Sequence, residues 1–534
     1  MLQVKNLTIT HKKDLRCLVK ELSLTLNPGD KAAIIGEEGN GKSTILKLIY
    51  EESLVEAYAE YTGEIIKNHE ILGYLAQELP TEEKEKSVYE FLAEEPAFFD
   101  MDQRELALLV QRLGIPLELL YAEQRMGTLS GGEKIKVQLV RMLSRRPTVL
   151  LLDEPSNDID IETLEWLEAF ILERKEPILY ISHDEVLLEN TANMIIHLEQ
   201  VKKKREPRYT VLRTDYRAYV EQRSRGLVRQ EQQAKKERSE YEKQQERFQK
   251  IQQKVEHQQN AISRQDPHGG QLLKKKMHTV KALEHRLERE AAEQTEIPDT
   301  EDAIFFRLSA ESELPRSKRV LDFYLEELAV EDGPAANGGL GSDREPEAKD
   351  GRRILARNIQ LRVTGPEKIC IVGRNGVGKT TLLKKIAEVL LTRTDIRVAY
   401  MPQNYEDQLE LGQAPVEYLS QTGDKEEESR IRTYLGSMKF TADEMSHPVS
   451  ELSGGQKSKI LLLKMSMSGS NVLILDEPTR NFSPLSNPVI RQHLKNFGGA
   501  IISISHDRKY IQEVCDRVYE LRETGLTLEE NAAF

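Results

Sequence analysis

The chain has 534 residues, 39% of them hydrophobic, and a formal net charge of −13. This length predicts two to four domains with sizeable cores, and since no run approaches roughly 18 consecutive apolar residues, we expect no transmembrane helix. The first residues lack a basic region followed by an apolar one, so no signal peptide is predicted and a cytoplasmic location is expected. The three cysteines lie far apart without metal-ligand spacing, which argues against zinc and iron–sulfur sites.

A phosphate-binding loop follows the first predicted buried strand, at 31–35. Residues 36–43 read G-x-x-x-x-G-K-S and lead into a helix. In this pattern backbone N–H groups converge on phosphates, the lysine neutralises their charge and the hydroxyl binds Mg²⁺. Nucleotide contacts are therefore predicted from Gly36, Gly39, Asn40, Gly41, Lys42, Ser43 and Thr44, with Ser43 also a metal ligand.

Two acidic residues in this loop, Glu37 and Glu38, are unusual beside a phosphate. Either both side chains point outward while the backbone binds the nucleotide, or this site binds nucleotide weakly. The sequence leaves both interpretations open.

Two carboxylates end a second apolar strand, predicted at 149–152. Asp153 is suited to hold Mg²⁺, and Glu154 to polarise the attacking water as a general base or an orienting group. About thirty residues later, His183 ends another predicted strand and is suited to contact the γ-phosphate. A lone histidine would more often be structural, but the same arrangement recurs later in the chain.

A long polar segment follows, from about Tyr219 to Glu293. Apolar residues recur in it every seven positions, which predicts two helices that pack along narrow seams. The break at 266–270, which reads Asp-Pro-His-Gly-Gly, separates them, so we predict an antiparallel coiled-coil hairpin with a first arm of about 65 Å. The predicted seam residues are Ala234, Tyr241, Phe248, Ile251, Val255 and Ile262 in the first arm and Leu273, Met277, Val280, Leu283 and Leu287 in the second. The alternative is a solvated spacer without a target.

The charge is distributed unevenly. Residues 201–290 contain about 24 Lys and Arg against about 13 Asp and Glu, roughly +11, which leaves roughly −24 for the rest of the chain. A basic projection on acidic bodies suggests a nucleic-acid partner for the projection, and ordinary i,i+4 ion pairing along the shaft is the alternative. Ion pairing accounts less well for the hairpin tip, where RNA contacts are predicted from Arg264, Lys274, Lys275, Lys276 and His278.

The later motifs of the first half recur in the second half at one constant offset of 323 residues, as from Asp153 to Asp476 and from His183 to His506. The repeat predicts a second phosphate loop, a second metal site and a second pair of catalytic residues. The corresponding residues are Gly373, Asn375, Gly376, Gly378, Lys379, Thr380 and Thr381 for the nucleotide, Thr380 and Asp476 for the metal, and Glu477 and His506 for catalysis. The stretch at 331–352 is rich in Gly, Ala, Asp and Glu without periodicity and is predicted to be a disordered loop.

Two further motifs complete each half. Leu-Ser-Gly-Gly occurs at 129–132 and at 452–455, and a glutamine follows a short predicted strand at Gln77 and at Gln403. With the phosphate loops, these motifs resemble the ATP-binding cassette superfamily over essentially both halves. The resemblance implies an α/β fold with two tandem P-loop NTPase cassettes, at 1–217 and 298–534, joined by the antiparallel α-helical coiled-coil hairpin at 218–297.

In that superfamily two cassettes pair head to tail, with each ATP between the phosphate loop of one and the Leu-Ser-Gly-Gly signature of the other. The resemblance implies an ATP hydrolase with Mg²⁺ and two composite sites: site 1 uses the first phosphate loop and the second signature, and site 2 the reverse. The implied additional nucleotide contacts are Gln77, Ser130, Gly131, Gly132, Gln403, Ser453, Gly454 and Gly455, with Gln77 and Gln403 also metal ligands. An aromatic residue usually stacks on the adenine, and the best match here is His11.

Two cassettes with a basic hairpin between them and no membrane span resemble the ABC-F proteins. That resemblance implies binding to the E site of the 70S ribosome, with contacts to 23S rRNA and P-site tRNA. The hairpin tip, near 263–277, would reach toward the peptidyl-transferase centre. It also implies a monomer whose cassettes pair intramolecularly, without membrane or DNA partners.

The residues after the second carboxylate pair read Thr-Arg-Asn-Phe-Ser-Pro-Leu, at 479–485. They resemble the antibiotic-resistance members of Vga, Lsa and OptrA type, which implies ribosomal protection, in which the hairpin dislodges a bound drug. The alternatives are an ABC-F translation factor without a resistance role, an ATPase subunit of a membrane transporter, and a DNA-repair or chromosome-type ATPase. Because Ser483 stands where the first half has Asp160, we also expect unequal hydrolysis at the two sites.

Overall fold

The computed structural model describes residues 1–201, 204, 206–261, 275, 277–283, 285–286, 289, 313–331 and 352–529. Two units divide the chain, one made of Met1–Tyr216 with Glu301–Phe534 and the other of Arg217–Thr300. Several sequence predictions fall outside the described residues. They are the hairpin break at 266–270, positions 332–351 of the loop predicted at 331–352, the seam residues Ile262, Leu273 and Leu287, and the basic residues Arg264, Lys274 and Lys276.

The first cassette contains nine strands and eight helices among the described residues, with 3₁₀ turns at Glu52–Leu54, Leu117–Tyr121 and Met126–Thr128. The strands are β1 (Leu2–His11), β2 (Cys17–Leu26), β3 (Lys31–Gly36), β4 (Ala59–Ile66), β5 (Leu72–Leu75), β6 (Val149–Asp153), β7 (Ile178–Ile181), β8 (Met194–Val201) and β9 (Glu206–Leu212). The helices are α1 (Lys42–Tyr50), α2 (Thr81–Glu85), α3 (Val88–Ala93), α4 (Pro96–Phe99), α5 (Gln103–Leu113), α6 (Gly131–Ser144), α7 (Ile161–Glu173) and α8 (Glu185–Thr191).

The main sheet of the first cassette has the strand order β5-β6-β7-β3-β8-β9, with only β9 antiparallel to its neighbour. Strands β3, β6 and β7 are buried along their whole length, as expected for apolar strands covered on both faces. Since these three strands are neighbours and parallel, the residues that follow them meet at one edge of the sheet. A second sheet, β2-β1-β4, is antiparallel and packs with α1 in one apolar core.

A single helix of 46 residues, α9 (Tyr216–Ala261), continues the chain after the first cassette. Within the unit Arg217–Thr300, Phe248 and Val255 pack with Val280 of the helical residues 277–283. Tyr241, Met277 and Leu283 lie against this cluster. The two arms therefore share an apolar seam, which confirms the helical hairpin expected from the heptad spacing.

Among the predicted seam residues that the structure describes, Ile251 alone lies in solvent, with 45% of its surface exposed. At about 100° of rotation per residue, Ile251 lies about 60° to one side of Phe248, whereas Gln252 lies about 40° to the other. Gln252 is partly buried, so the second arm packs on its side of the helix. The prediction for Ile251 was wrong for this reason.

The second cassette contains eight strands and six helices among the described residues, with 3₁₀ turns at Tyr405–Asp407 and Val449–Glu451. The strands are β10 (Arg319–Glu331), β11 (Arg352–Thr364), β12 (Lys368–Val372), β13 (Val398–Met401), β14 (Val472–Asp476), β15 (Ala500–Ile504), β16 (Arg517–Arg522) and β17 (Gly525–Glu529). The helices are α10 (Lys379–Leu391), α11 (Pro415–Leu419), α12 (Lys425–Ser437), α13 (Gly454–Met467), α14 (Asn487–Lys495) and α15 (Arg508–Val514).

The main sheet of the second cassette repeats the topology of the first, in the order β13-β14-β15-β12-β16-β17. The β12, β14 and β15 strands correspond to β3, β6 and β7, so the same three chain segments again meet at one edge of the sheet. The duplication predicted from the motifs therefore extends to the order of the strands. Within the part of the chain described here, no helix combines the length and apolar character needed to cross a membrane.

Candidate nucleotide sites between the cassettes

The first phosphate loop curls between the end of β3 and the start of α1. Gly36 has a φ of 147°, and a Cβ placed there would lie 2.3 Å from the carbonyl O of Leu198, so only glycine fits. The Lys42 Nζ donates to the carbonyl oxygens of Gly36, at 2.9 Å, and Glu37, at 3.1 Å. Burial lowers the pKa of Lys42, while nearby carboxylates oppose that shift. The loop therefore surrounds a positive charge at the open end of a helix, an arrangement suited to phosphate.

The second phosphate loop repeats this geometry. Gly373 has the same φ of 147°, and Lys379 Nζ donates to the carbonyl oxygens of Gly373, at 2.7 Å, and Arg374, at 3.0 Å. Burial also lowers the pKa of Lys379. The two halves thus present the same lysine cradle at the same edge of their sheets.

Each loop places a hydroxyl beside a buried aspartate. In site 1 the Ser43 hydroxyl donates to Asp153 Oδ1 at 2.9 Å, and the Tyr74 hydroxyl donates to Oδ2 at 3.3 Å. In site 2 the Thr380 side chain bonds to Asp476, whose Oδ2 is buried and has no hydrogen-bond partner among the described residues. Burial raises the pKa of each aspartate to about 6.

These donor sets fit a magnesium ion. A buried carboxylate beside a hydroxyl provides the hard oxygen ligands that Mg²⁺ takes, and Mg²⁺ completes its shell with water and substrate phosphates rather than with a full protein cage. The unpartnered Asp476 Oδ2 is a position where a cation would supply the missing interaction. The described residues contain no cluster of three or more His, Cys, Asp or Glu placed to hold a metal ion.

The glutamate after the aspartate is held by three side chains in site 1. Glu154 has a φ of 49° and accepts hydrogen bonds from Gln77 Nε2, at 3.2 Å, and Asn157 Nδ2, at 2.5 Å. The Nε2 of His183 lies 3.1 Å from Glu154 Oε1. Burial would raise the pKa of Glu154, but the neighbouring His183 and Lys42 outweigh it and lower that pKa to about 2. The carboxylate is therefore ionised and oriented.

The equivalent glutamate in site 2, Glu477, is in a different protonation state. Burial, reinforced by Asp476, raises the pKa of Glu477 to about 8. His506 Nε2 is 3.8 Å from Glu477 Oε1, and burial with the charge of Lys379 lowers the pKa of His506 to about 3. The Nδ1 of His506 is buried without a hydrogen-bond partner among the described residues. The glutamate and histidine of site 2 are both neutral near pH 7.

The two cassettes contribute to each other's sites. The Nδ1 of His183 lies 2.8 Å from the carbonyl O of Phe482, which belongs to the second cassette. The His183 ring therefore lies between two acceptors, the carbonyl O of Phe482 and the Glu154 carboxylate. The segment after Glu477 thus helps to position the histidine of site 1.

The signature helices begin at the same interface. Ser130 and Ser453 each cap their helix, α6 and α13, through a capping box. A Cβ on Gly131 would lie 1.9 Å from the carbonyl O of Asp158, which accepts a hydrogen bond from Asn375 Nδ2 at 2.6 Å. Gly455 N donates to Glu38 Oε2 at 2.5 Å. Each signature therefore lies against the phosphate loop of the other cassette.

Sequence comparison assigns the chain to a family. A family model described as ABC transporter matches residues 19–157 and again 356–480. The Arabidopsis thaliana protein ABC transporter F family member 2 is 25% identical over 95% of this chain and 75% of its own length. The ATP-binding protein YdiF of Bacillus subtilis is 28% identical over 98% of this chain and 80% of its own.

The chain is an ATP-binding cassette protein of the ABC-F type. It is accordingly an ATPase, and the tandem-cassette fold is confirmed by structural comparison. The archaeal ribosome recycling factor aABCE1, solved with ribosomal stalk protein aP1, matches with a TM-score of 0.56 and 17% identity over 98% of this chain and 89% of its own. A structure of RNase-L Inhibitor matches with the same TM-score, at 18% identity over 98% of this chain and 90% of that one.

In each cassette of this ABC-F protein, the predicted phosphate loop, aspartate, glutamate and histidine lie at one edge of the main sheet. The Gln77 side chain donates to Glu154. Gln403 is exposed after β13, and no hydrogen bond of its side chain is described. In the hairpin unit, Lys275 and His278 are exposed.

Several contacts of the ABC-F sites were missed by sequence reasoning. The carbonyl of Phe482 could not be found because a backbone acceptor leaves no mark in a side-chain pattern. Arg480 pairs with Asp158 of the first cassette at 2.7 Å, and its unusual position after Glu477 was the available signal. Arg16 Nη2 donates to Gly39 O at 2.7 Å, whereas His11, the predicted adenine contact, bonds to Asp14.

Proposed function

We propose that this ABC-F ATPase binds the E site of the 70S ribosome in the cytoplasm and extends its hairpin along 23S rRNA and P-site tRNA toward the peptidyl-transferase centre. There the hairpin dislodges bound antibiotics, which is ribosomal protection. In this proposal the protein acts as a monomer, ATP occupies both sites between its cassettes, and hydrolysis releases them.

The proposal rests chiefly on one surface of α9. Six cationic side chains recur at spacings of seven, or of three and four, and we call them the basic stripe: Arg229, Lys236, Lys243, Arg247, Lys250 and Lys254. All six are exposed, and none forms an ion pair among the described residues. At 3.6 residues per turn the basic stripe covers an arc of about 60° and a length of about 38 Å.

Ordinary ion pairing does not account for this stripe. Arg225, Lys235 and Arg238 of the same helix do pair with glutamates one turn away, as a solvated shaft would require. A row of unpaired cations instead repels itself unless an extended polyanion lies along it, and the backbone of structured RNA is such a polyanion. The two similar solved structures named above include a protein described as a ribosome recycling factor, which supports the same target.

In the proposed ATPase cycle, the phosphate loops hold the nucleotide through backbone N–H groups, Lys42 and Lys379. Mg²⁺ would be held by Ser43 and Asp153 in site 1 and by Thr380 and Asp476 in site 2, aided by Gln77 and Gln403, and would neutralise phosphate charge. Glu154, already ionised and oriented by His183, receives the proton of the attacking water in site 1. Glu477 must first lose its own proton to do the same in site 2.

Ribosomal protection and a translation-factor role predict different outcomes in a drug-sensitivity measurement. Expression in a sensitive host should raise the minimum inhibitory concentration of at least one drug that acts at the peptidyl-transferase centre. The Lys243→Gln, Lys250→Gln chain should lose most of that increase, while the Lys235→Gln, Arg238→Gln chain, which loses two paired cations, should keep it. Protection against no such drug, with ribosome binding intact, would favour the translation-factor alternative; equal effects of the two pairs would exclude a role for the basic stripe.

A further inference from the structure

Glu38 places its carboxylate directly over the signature of the opposite cassette. Its Oε2 accepts a hydrogen bond from Gly455 N at 2.5 Å. A Cβ on Gly455 would lie 3.1 Å from Oε2, and one on Gly454 would lie 3.5 Å from Oε1. Both carboxylate oxygens therefore face the first turn of α13, a helix of 14 residues.

This position is favourable for any anion. The first N–H groups of a helix have no intrahelical partners, and the helix dipole adds positive charge at the same end. In the proposed function the terminal phosphate of ATP binds the same N–H groups from the first phosphate loop. One N–H group cannot serve both anions at once.

The neighbouring residue keeps the loop in place against the second cassette. Glu37 Oε1 accepts from Lys439 Nζ at 3.2 Å. Burial would raise the pKa of Glu37, but the nearby Lys459, Lys439 and Lys204 outweigh it and lower that pKa to about 2. An ionised Glu37 held among lysines fixes the backbone from which Glu38 projects.

Site 2 lacks this contact, although its loop has the same backbone geometry. The counterpart of Glu38 there is Asn375, whose Nδ2 donates to the carbonyl O of Asp158 at 2.6 Å. Its backbone N donates to Asp160 Oδ2 at 3.3 Å. The second phosphate loop contains no acidic residue, so it presents no carboxylate to the signature at Gly131 and Gly132.

We propose that Glu38 competes with the terminal phosphate of ATP for the N–H of Gly455, and thereby lowers the affinity of site 1 for ATP more than for ADP. The inference rests on the proposed placement of ATP between the cassettes. ADP lacks the phosphate that needs the Gly455 N–H, so it binds the first loop with Glu38 still in place. The sequence left two interpretations of Glu37 and Glu38 open: side chains that point outward, or weak nucleotide binding at this site. The proposal favours the second and makes site 1 the weaker ATP site.

The test uses the full chain with two background substitutions. Lys379→Ala prevents nucleotide binding at site 2, and Glu154→Gln prevents hydrolysis at site 1. Titration calorimetry with Mg²⁺ then measures the dissociation constants of ATP and ADP with Glu38 and with Glu38→Asn, the residue that site 2 carries. We expect Glu38→Asn to tighten ATP binding about tenfold, the size of a good anion interaction at a helix N-terminus, and to tighten ADP binding by less than about threefold. Thermal unfolding should confirm that both chains are folded.

Two results would overturn the inference alone. One is an ATP affinity that Glu38→Asn leaves unchanged; the other is an equal gain for ATP and ADP, which would indicate general charge repulsion. A site 1 that binds ATP in neither chain would overturn the inference and the proposed function together. As a control, Glu38→Asn in a Lys42→Ala chain, where only site 2 binds, should leave ATP affinity unaltered.

Discussion

Arg491 of α14 donates through Nη1 to Glu185 Oε1 at 2.5 Å, joining the second cassette to the first through side chains that are 3% and 5% exposed. Arg491 Nε also bonds to Glu513 Oε2 at 2.8 Å. Beside this pair, Lys509 reaches Glu189 and Glu185, and Arg508 reaches Glu168 and Asp184. The cassettes are thus connected by a buried ionic network that contains no residue of the nucleotide sites.

Removing one member of this network should destabilise the chain without nucleotide. Arg491→Met leaves Glu185 buried without its main partner, and we expect a loss of about 3 kcal/mol, which a lower midpoint of thermal unfolding would report. The double change Glu185→Met, Arg491→Met should lose less than the sum of the two single changes.

An exposed ion pair between the cassettes serves as a matched control for the buried Arg491–Glu185 pair. Arg374 and Glu162 lie 3.1 Å apart but are 78% and 73% exposed. Arg374→Met should change the free energy of unfolding by less than about 0.5 kcal/mol. If Arg491→Met and Arg374→Met lower the free energy of unfolding by the same amount, burial does not decide the strength of these ion pairs.

The two sites should differ in their dependence on pH. The pH dependence of kcat/KM reports the ionisations of the free enzyme, and the nucleotide-free pKa is about 2 for Glu154 and about 8 for Glu477. In a Glu154→Gln chain, where only site 2 hydrolyses, kcat/KM for ATP should rise with pH through about 8. In a Glu477→Gln chain, where only site 1 hydrolyses, this ionisation should be absent between about pH 6 and 9. Identical profiles would contradict the assigned difference.

The proton bound to the Glu477 carboxyl also affects the free energy of unfolding. Because the folded pKa of Glu477 is raised above its usual value of 4.5, the folded chain binds a proton there that the unfolded chain has released. The resulting stability is present below about pH 4.5 and is lost as the pH rises to about 8. Glu477→Gln should therefore raise the unfolding midpoint at pH 9 relative to the parent chain, and leave it nearly unchanged at pH 4.5.

The hairpin seam offers a comparison between two similar residues. Val255 is buried in the cluster with Phe248 and Val280, whereas Ile251, one turn earlier, is exposed. Val255→Asn should cost about 2 kcal/mol of local stability and Ile251→Asn less than about 0.5 kcal/mol. Hydrogen exchange of the amides of α9 measures this directly. A larger effect of Ile251→Asn would mean that the second arm packs on the other side of α9.

The cassettes could be predicted from sequence because their phosphate loops and carboxylate pairs are local patterns, each set by the chemistry of a few adjacent residues. The same locality identified the hairpin, since a heptad repeat depends on only one helix. Contacts between distant residues left no such pattern. Arg491 and Glu185 meet only because two helices from different cassettes pack together, and the choice between Ile251 and Gln252 depended on which side the second arm occupies.

The central claim is that ATP-bound cassettes hold this protein on the ribosome. The most direct measurement is co-sedimentation of the Glu154→Gln, Glu477→Gln chain with 70S ribosomes in the presence of Mg²⁺ and either ATP or ADP. We expect near-stoichiometric retention with ATP, little with ADP, and reduced ATP-dependent retention when Lys243 and Lys250 are also changed to Gln. Equal sedimentation with ATP and ADP, or none with either, would contradict the account.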